Sequence, residues 1–460
     1  MWEDIFSSST SQLPGRLEEL EYEQMERIGP LSVMAPWTER RQNVQAYYKS
    51  SRSQNTFSDS VVQRVSEELF ERPARLRPKS AEEVIPLMTT DTNSGLPRFR
   101  RRSTVVPESI EDAANIFEGV NTYPAILGWR GQSGGPEVGD VKQRTVWMFP
   151  FGTNIAEYRY YHPVFETIRQ KSFGSAWSDQ DAINLAVDRF LRDGGNTSLK
   201  LSIDFSGYDQ SVAPEHQSRF WDVMRFAFQE PEGLEELATA FQTIQIICTR
   251  SVMLSGSHGV PSGSVFTNLC DTVIHRMLQY HCAEKFGDKI NLSTAQCQGD
   301  DGLLSYEGLS TAEVVDCLSE LGFEANLDKQ FIGSDDCVYL QRYYHRNYER
   351  GVVGIYPTFR ALNSLMGQER VHDPEKWGID MVILRSIMIL ENTKYHPLFR
   401  EFVSFVREGD RYGLDPSRIN QETIAKAKSI SGLVPQYNQE RRIHSINEFE
   451  TVKLLRELGG

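Results

Sequence analysis

Between Leu199 and Phe205 the chain alternates strictly, apolar at 199, 201, 203 and 205 and polar at 200, 202 and 204. A period of two residues is that of a half-buried strand. It sets Asp204 on the polar face at the strand's end, where Ser206-Gly207-Tyr208-Asp209 turns away. Ala295 to Leu304 reads as a hairpin, because short, largely apolar arms flank Gly299-Asp300-Asp301-Gly302. Glycine at 299 and 302 tolerates positive φ, so the chain can reverse there with both carboxylates at the tip.

Helical spacing dominates elsewhere. Ser109-Ile110-Glu111-Asp112 opens a helix by capping, and two more are predicted at about 155–172 and 179–192, the second starting at Ser178 with Asp181 completing the cap. Pro214 suits a helix start, with Phe220, Trp221, Met224 and Phe228 on one face. The small-residue loop Ser255 to Gly263 predicts a flexible connection. It leads to a helix striped by Val265, Phe266, Leu269, Val273 and Met277, with Thr267 and Asn268 in its first turns. Ser310 and Glu313 form a capping box for a helix that buries Val314, Leu318 and Leu321 and stops at Gly322. Cys337–His345 and Val352–Tyr356 read as strands about a polar turn, and the acid pair Asp335-Asp336 as a turn. Residues 358–460 look helical. Residues 1–80 mix helical stretches with Ser-rich and Pro-rich segments, whose expected role is packing, without chemistry.

At 460 residues the chain is long for one compact domain. Its most apolar run, Met381 to Leu390, is interrupted by Arg385, and no stretch reaches the eighteen apolar residues of a membrane span. The start, Met1-Trp2-Glu3-Asp4-Ile5, is not that of a signal peptide. Six cysteines stand far apart with no Cys-x-x-Cys pair, which points to free thiols in a reducing compartment. These features predict a soluble intracellular protein. The net charge of −14 runs against a nucleic-acid enzyme, so the local cluster Arg98, Arg100, Arg101 and Arg102 is read as part of a basic interior channel inside an acidic surface.

Candidate chemistry follows from the acids. Carboxylates from two different strands can clamp a pair of cations for in-line phosphoryl chemistry. An ordinary Asp-Gly turn would explain the hairpin alone, though not its companion at Asp204 and Asp209. Lys142 and Arg144 fall on one face of a strand that runs into Trp147, either as a solvated edge or to neutralise a triphosphate. The loop Asp91 to Pro97 leads into the arginine cluster and suits a phosphate backbone through exposed amides. His258 reads as a loop residue and not a catalyst.

In this order the chain resembles a viral RNA-dependent RNA polymerase, picobirnavirus-like, with the partitiviruses next, over about residues 90–370. Asp204-x4-Asp209, Ser262-Gly263-x3-Thr267-Asn268 and Gly299-Asp300-Asp301 match three motifs of the family in unpermuted order. The resemblance implies an α+β right hand, with an antiparallel palm sheet carrying helices on one face. It implies an N-terminal extension (1–80), fingers (81–195), palm (196–345, with a fingers insertion near 230–255) and thumb (346–460). It further implies catalysis by Asp204, Asp300, Asp301 and Lys329, with Asp204, Asp300 and Asp301 at two magnesium ions that manganese can replace. Asp209, Ser262, Thr267 and Asn268 would select the nucleotide and its sugar. Arg130, Lys142 and Arg144 would bind triphosphate, and Ser94, Gly95 and Pro97 would meet the template. RNA template and product, nucleoside triphosphates and a capsid protein are the implied partners, without a membrane. The implied place is the host cytoplasm, inside the virion or viral core. A reverse transcriptase or DNA polymerase shares the acids, and a calcium-binding protein with incidental acid turns would leave Asp204 and Asp300 far apart.

Overall fold

The computed structural model describes residues 1–31, 33–49, 55–120, 123–193, 198–368, 377–428 and 446–459. Alternating and β-branched runs form two four-stranded sheets. In the first, β1 (Ala125–Gln132) and β2 (Lys142–Met148) make an antiparallel hairpin that sets Arg130 across from Arg144 and Gln132 across from Lys142. Directly opposed residues share a sheet face, so the basic side chains project together. The second sheet is built on β3 (Leu199–Ile203). Later in sequence, β4 (Ile246–Thr249) and β5 (Val252–Leu254) return to the first sheet, whose order is β2-β1-β4-β5. The hairpin β6 (Ile290–Gln298) and β7 (Asp301–Tyr306), with β8 (Phe331–Gly333), completes the second as β6-β7-β3-β8, antiparallel throughout.

This second sheet is covered on both faces, not one as expected. Leu201, Ile203, Leu304 and Tyr306 enter a large core with Phe220, Trp221, Val273 and Met277 from helices Pro214–Ala227 and Thr267–Phe286. Leu303 faces the other way, into a core with Ile183, Val187 and Phe190 of helix Gln180–Arg192. The polar face of β3 is therefore dry. Lys200 is fully buried, and its ammonium donates to Asp193 O at 2.5 Å and Ser198 Oγ at 3.2 Å while lying over the Phe190 ring. A buried ammonium is tolerable only with such partners.

The N-terminal helices clamp the far end of the chain. Trp2 and Phe6 bury against Phe359, Phe402 and Leu455. Glu21 of helix Leu17–Glu26 is fully buried and accepts from Thr358 N (2.6 Å), Thr358 Oγ1 (2.9 Å) and Phe359 N (3.1 Å), which caps helix Thr358–Met366. Arg16 bonds both oxygens of Asp336, at 2.6 and 3.0 Å.

Several boundaries moved for physical reasons. The predicted strand 337–345 is a hairpin of β9 (Asp336–Tyr339) and β10 (Arg342–His345), because Leu340 and Gln341 both turn at positive φ without glycine. Asp336 is accordingly a strand residue with an ion partner, and 352–356 adds only a bridge, Ile355 to Tyr343. The helix expected from Ser109 begins at Val106, with Pro107 in its first turn. Asp179, not Ser178, caps helix Gln180–Arg192 by accepting from Ala182 N. After Met366 the chain is largely helical as expected, with 369–376 and 429–445 outside the described residues.

Candidate active site

Strand register brings the acids together. Ile203 pairs with Gly302, so the next step of the ladder sets Asp204 opposite Asp301 at the sheet's edge. Gly299 turns the β6–β7 hairpin at φ +60°. Gly302 does not adopt positive φ; it is needed because a Cβ there would run into the His275 ring. The turn is braced from below by helix Thr267–Phe286. Gly299 N donates to Thr272 Oγ1 at 2.9 Å, and Gly299 O lies 2.8 Å from Nδ1 of buried His275. On the neighbouring strand the Gln330 amide grips the Asp204 peptide, accepting from its N at 3.0 Å and donating to its O at 2.8 Å. Both acid-bearing segments are thus fixed through backbone, leaving the carboxylates uncommitted.

The carboxylates repel one another. Burial and then the Asp300 charge push Asp301 up to about 8, with a further push from Asp204. Asp204 is raised by burial and Asp300, and Asp209 is pushed up to about 6 by the same two causes in the same order. Asp271, buried beneath them with an oxygen that meets no partner, is raised well above the usual range by burial, Asp209 and Asp300. Cations surround the group: Lys329, Arg27 and Lys142 oppose the rise at Asp204, and Arg144 does so at Asp209 and Asp301. Such a concentration of perturbed acids marks functional sites.

Further polar groups lie around this centre. Asn268 Oδ1 accepts from Gln298 Nε2 at 2.8 Å and Trp177 Nε1 at 3.3 Å. Its amide nitrogen, close to Gly299, has no hydrogen-bond partner among the described residues. Asp209 does not hold Asn268; its charge faces Asp300 and Arg144 instead. Ser262 and Thr267 use their hydroxyls on backbone, at Thr145 O (2.9 Å), and at Pro261 O (2.9 Å) and Ser264 O (3.0 Å). Buried Glu157 accepts from Ser264 Oγ and Val265 N, and burial pushes its carboxyl up to about 7. Only the second part of the 255–263 loop is packed: Ser255 to Ser257 are exposed, whereas His258 is fully buried with both ring nitrogens against carbonyls, and Gly263 abuts Trp147 O too closely for any Cβ.

Comparison with known proteins decides the family. A family model of viral RNA-dependent RNA polymerases matches residues 136–357. A human picobirnavirus protein described as a potential RNA-dependent RNA polymerase is 35% identical over 453 residues, covering 95% of this chain and 84% of the relative. The chain belongs to the viral RNA-dependent RNA polymerases. The crystal structure of a human picobirnavirus polymerase superimposes with a TM-score of 0.88 at 33% identity, covering 99% of this chain and 90% of that one. The RNA-directed RNA polymerase of Cryptosporidium parvum virus 1 is 24% identical over 55% of this chain and 49% of the relative. The fold is therefore the right-hand polymerase, and the activity is RNA-templated RNA synthesis from nucleoside triphosphates for a double-stranded RNA virus. Polymerases of this family work with divalent metal ions. Among the described residues no helix is long and apolar enough to cross a membrane.

The polymerase spends most of its arginine cluster internally. Arg98 pairs with Asp112, Arg100 with Glu108 at 3.5 Å, and Arg102 with Asn154 Oδ1 at 2.8 Å. The 91–97 loop is likewise closed on itself and not open-handed as expected. Ser94 is buried, taking Arg100 N on its hydroxyl and Phe151 N on its carbonyl, and Gly95 N donates to Asn93 Oδ1. Only Pro97 of the three expected template residues is exposed. Lys329 is exposed and donates to Ser206 Oγ at 3.3 Å, beside Asp204.

Sequence reasoning missed Thr272, His275, Gln330, Glu157 and Arg27. The first four are common residue types whose importance lies in partners far off in sequence. Arg27 lies in residues 1–80, where no charge near the acids was expected. Its segment is fastened to the β1–β2 hairpin by Ser133, which donates to Arg27 O, and by Gln143, which donates to Val33 O and accepts from Ala35 N. That attachment puts a guanidinium near Asp204 and Lys142.

Proposed function

We propose that Asp204, Asp300 and Asp301 hold two divalent ions, magnesium with manganese as substitute, and that this is the catalytic centre. The supporting observation is the convergence of three raised acids, Asp204, Asp209 and Asp301, around Asp300 at the end of strands β3 and β7, on peptides locked by Thr272, His275 and Gln330. Hard carboxylate oxygens suit hard cations. The three acids offer only oxygen donors, the type magnesium requires, although their oxygens do not all come within 4.8 Å of one another. Bound there, such ions lower the pKa of the attacking 3′-hydroxyl and neutralise the triphosphate.

The chain's own residues do the rest. Arg144 and Lys142, held on one face of β2 beside Arg130, take the triphosphate charge, with Arg27 from the N-terminal segment as a fourth cation. Lys329, at the acids yet solvent-accessible, donates a proton to departing pyrophosphate. The unpaired Asn268 amide donates to the ribose 2′-hydroxyl, while Asp209 shapes the floor between Asp300 and Arg144. Ser262 and Thr267 act through the backbone they hold, and Ser94 and Gly95 position the loop that offers Pro97 to the template.

On this reading residues 81–195 are fingers, joined by 230–255 through the β4–β5 extension of the first sheet; 196–345 are palm, 346–460 thumb, and 1–80 an extension packing on fingers and thumb. The polymerase works in the host cytoplasm, inside the virion or viral core, with a capsid protein as partner. Radiolabelled extension of a short RNA template tests the centre. Asp300→Asn should reduce synthesis by about 10³-fold or more, the worth of several kcal/mol of charge stabilisation, with folding intact. Full activity in magnesium would refute the assignment.

A further inference from the structure

Helix Thr267–Phe286 braces the catalytic turn with its first half and carries a different cluster near its far end. There His281 Nε2 lies 3.3 Å from Glu320 Oε2. One ligand atom each from His281, Cys317 and Glu320 falls within 4.8 Å of the other two, and among the described residues no other such trio of metal-ligating side chains draws this close. Cys317 sits in helix Thr311–Ser319 and Glu320 is that helix's C-cap, three residues on and therefore on the same face. Cys317 is fully buried, whereas the His281 and Glu320 side chains are 20% and 42% exposed. The cluster thus opens from the core to solvent, where an ion can enter.

We propose that His281, Cys317 and Glu320 form a zinc site, with water as fourth ligand, that ties these two helices together behind the catalytic centre. Imidazole, thiolate and carboxylate are the three donor types zinc takes, and its bonds of about 2.0–2.3 Å set tetrahedral ligands roughly 3.3–3.8 Å apart. The His281–Glu320 separation already lies in that range. A thiolate–imidazole pair repays a borderline ion and not magnesium, which demands oxygen. His281 is thirteen residues beyond Asn268, about 20 Å along the helix, so the two metal requirements do not compete for ligands.

An ordinary surface network is the rival explanation, since Lys285 also pairs with Glu320. That network accounts for the carboxylate and the imidazole, and core packing with Cys282 for the burial of the thiol, but neither accounts for the convergence of all three ligand atoms. Lys285 competes with the ion for Glu320, and its exposed side chain can swing aside.

The test is titration of the chelator-stripped full-length protein with Co²⁺, followed by Zn²⁺ displacement. One equivalent should give a thiolate-to-cobalt absorption band that one equivalent of Zn²⁺ removes. Millimolar Mg²⁺ and the Asp300→Asn change should leave the band intact. Cys317→Ser should abolish it. His281→Ala and the solvent-side Glu320→Gln, which does not disturb the core, should weaken affinity more than about tenfold. Lys285→Ala should strengthen it. Absence of the band, its persistence in Cys317→Ser, or unchanged affinity in both His281→Ala and Glu320→Gln would overturn the proposal.

Discussion

At the N-terminal clamp Asp336 meets both arms of the Arg16 guanidinium, and Glu21 accepts three hydrogen bonds from Thr358 and Phe359. At the palm edge Asp204, Asp209, Asp300 and Asp301 face one another, and the hydrogen bonds nearby go to their peptides and not to their carboxylates. Both regions place acids where desolvation is costly, but only the clamp supplies stoichiometric partners. Folding alone rewards the first arrangement. On the proposed function, the second is retained at a cost because a ligand with positive charge completes it.

The comparison breaks if the palm cations turn out to be solvated ornament. Lys329→Leu should slow single-turnover nucleotide addition by roughly 10²-fold or more, the usual worth of a placed proton donor, beyond any change in nucleotide affinity. An unchanged rate with chemistry limiting would return Lys329 to the surface. Next in size is sugar choice. Asn268→Ala should cut the ratio of kcat/KM for ATP over dATP by about tenfold, since a hydrogen bond to a neutral hydroxyl is worth about 1–1.5 kcal/mol. A constant ratio on the same template would leave Asn268 a support for Gln298 and Trp177.

The clamp should respond in the opposite currency. Arg16→Ala leaves Asp336 without its guanidinium and should cost about 1–3 kcal/mol of stability, read as a lower unfolding temperature, with the single-turnover rate at saturating nucleotide unchanged. Loss of rate at full stability would make the clamp part of the active site, and the contrast between the regions would fail.

How much of this could be read from residues alone depends on range. The period of β3, the Gly299 turn, the Ser310 capping box and the Pro214 helix start are local signals, and each is where expected. That the acids of β3 and the β6–β7 turn would converge was legible for the same reason: strand periodicity and a Gly-flanked pair are each written within ten residues. Leu340-Gln341 carried no turn chemistry, so its reversal is imposed by pairing of β9 with β10. Lys200 read as solvent-facing because the second layer, Phe190 and its helix, is invisible from β3 itself. Thr272, His275 and Gln330 act through contacts with segments distant in sequence, and Arg27 through a fastening to β1 and β2. No spacing rule announces those.

The central claim is that the palm acids are held in mutual repulsion until cations arrive. Asp301 and Asp209, raised to about 8 and about 6, bind protons more tightly folded than unfolded. Their ionisation therefore erodes stability as pH climbs from the ordinary carboxylate range near 4 through those values. The direct measurement is the unfolding temperature of chelator-treated wild type and Asp300→Asn between pH 5 and pH 8.5, each without and with Mg²⁺. The account predicts that metal-free Asp300→Asn unfolds about 1–3 °C above wild type at the alkaline end. The gap should narrow toward pH 5, and Mg²⁺ should raise wild type far more than the variant. A variant less stable than wild type at every pH, with an equal response to Mg²⁺, would contradict it.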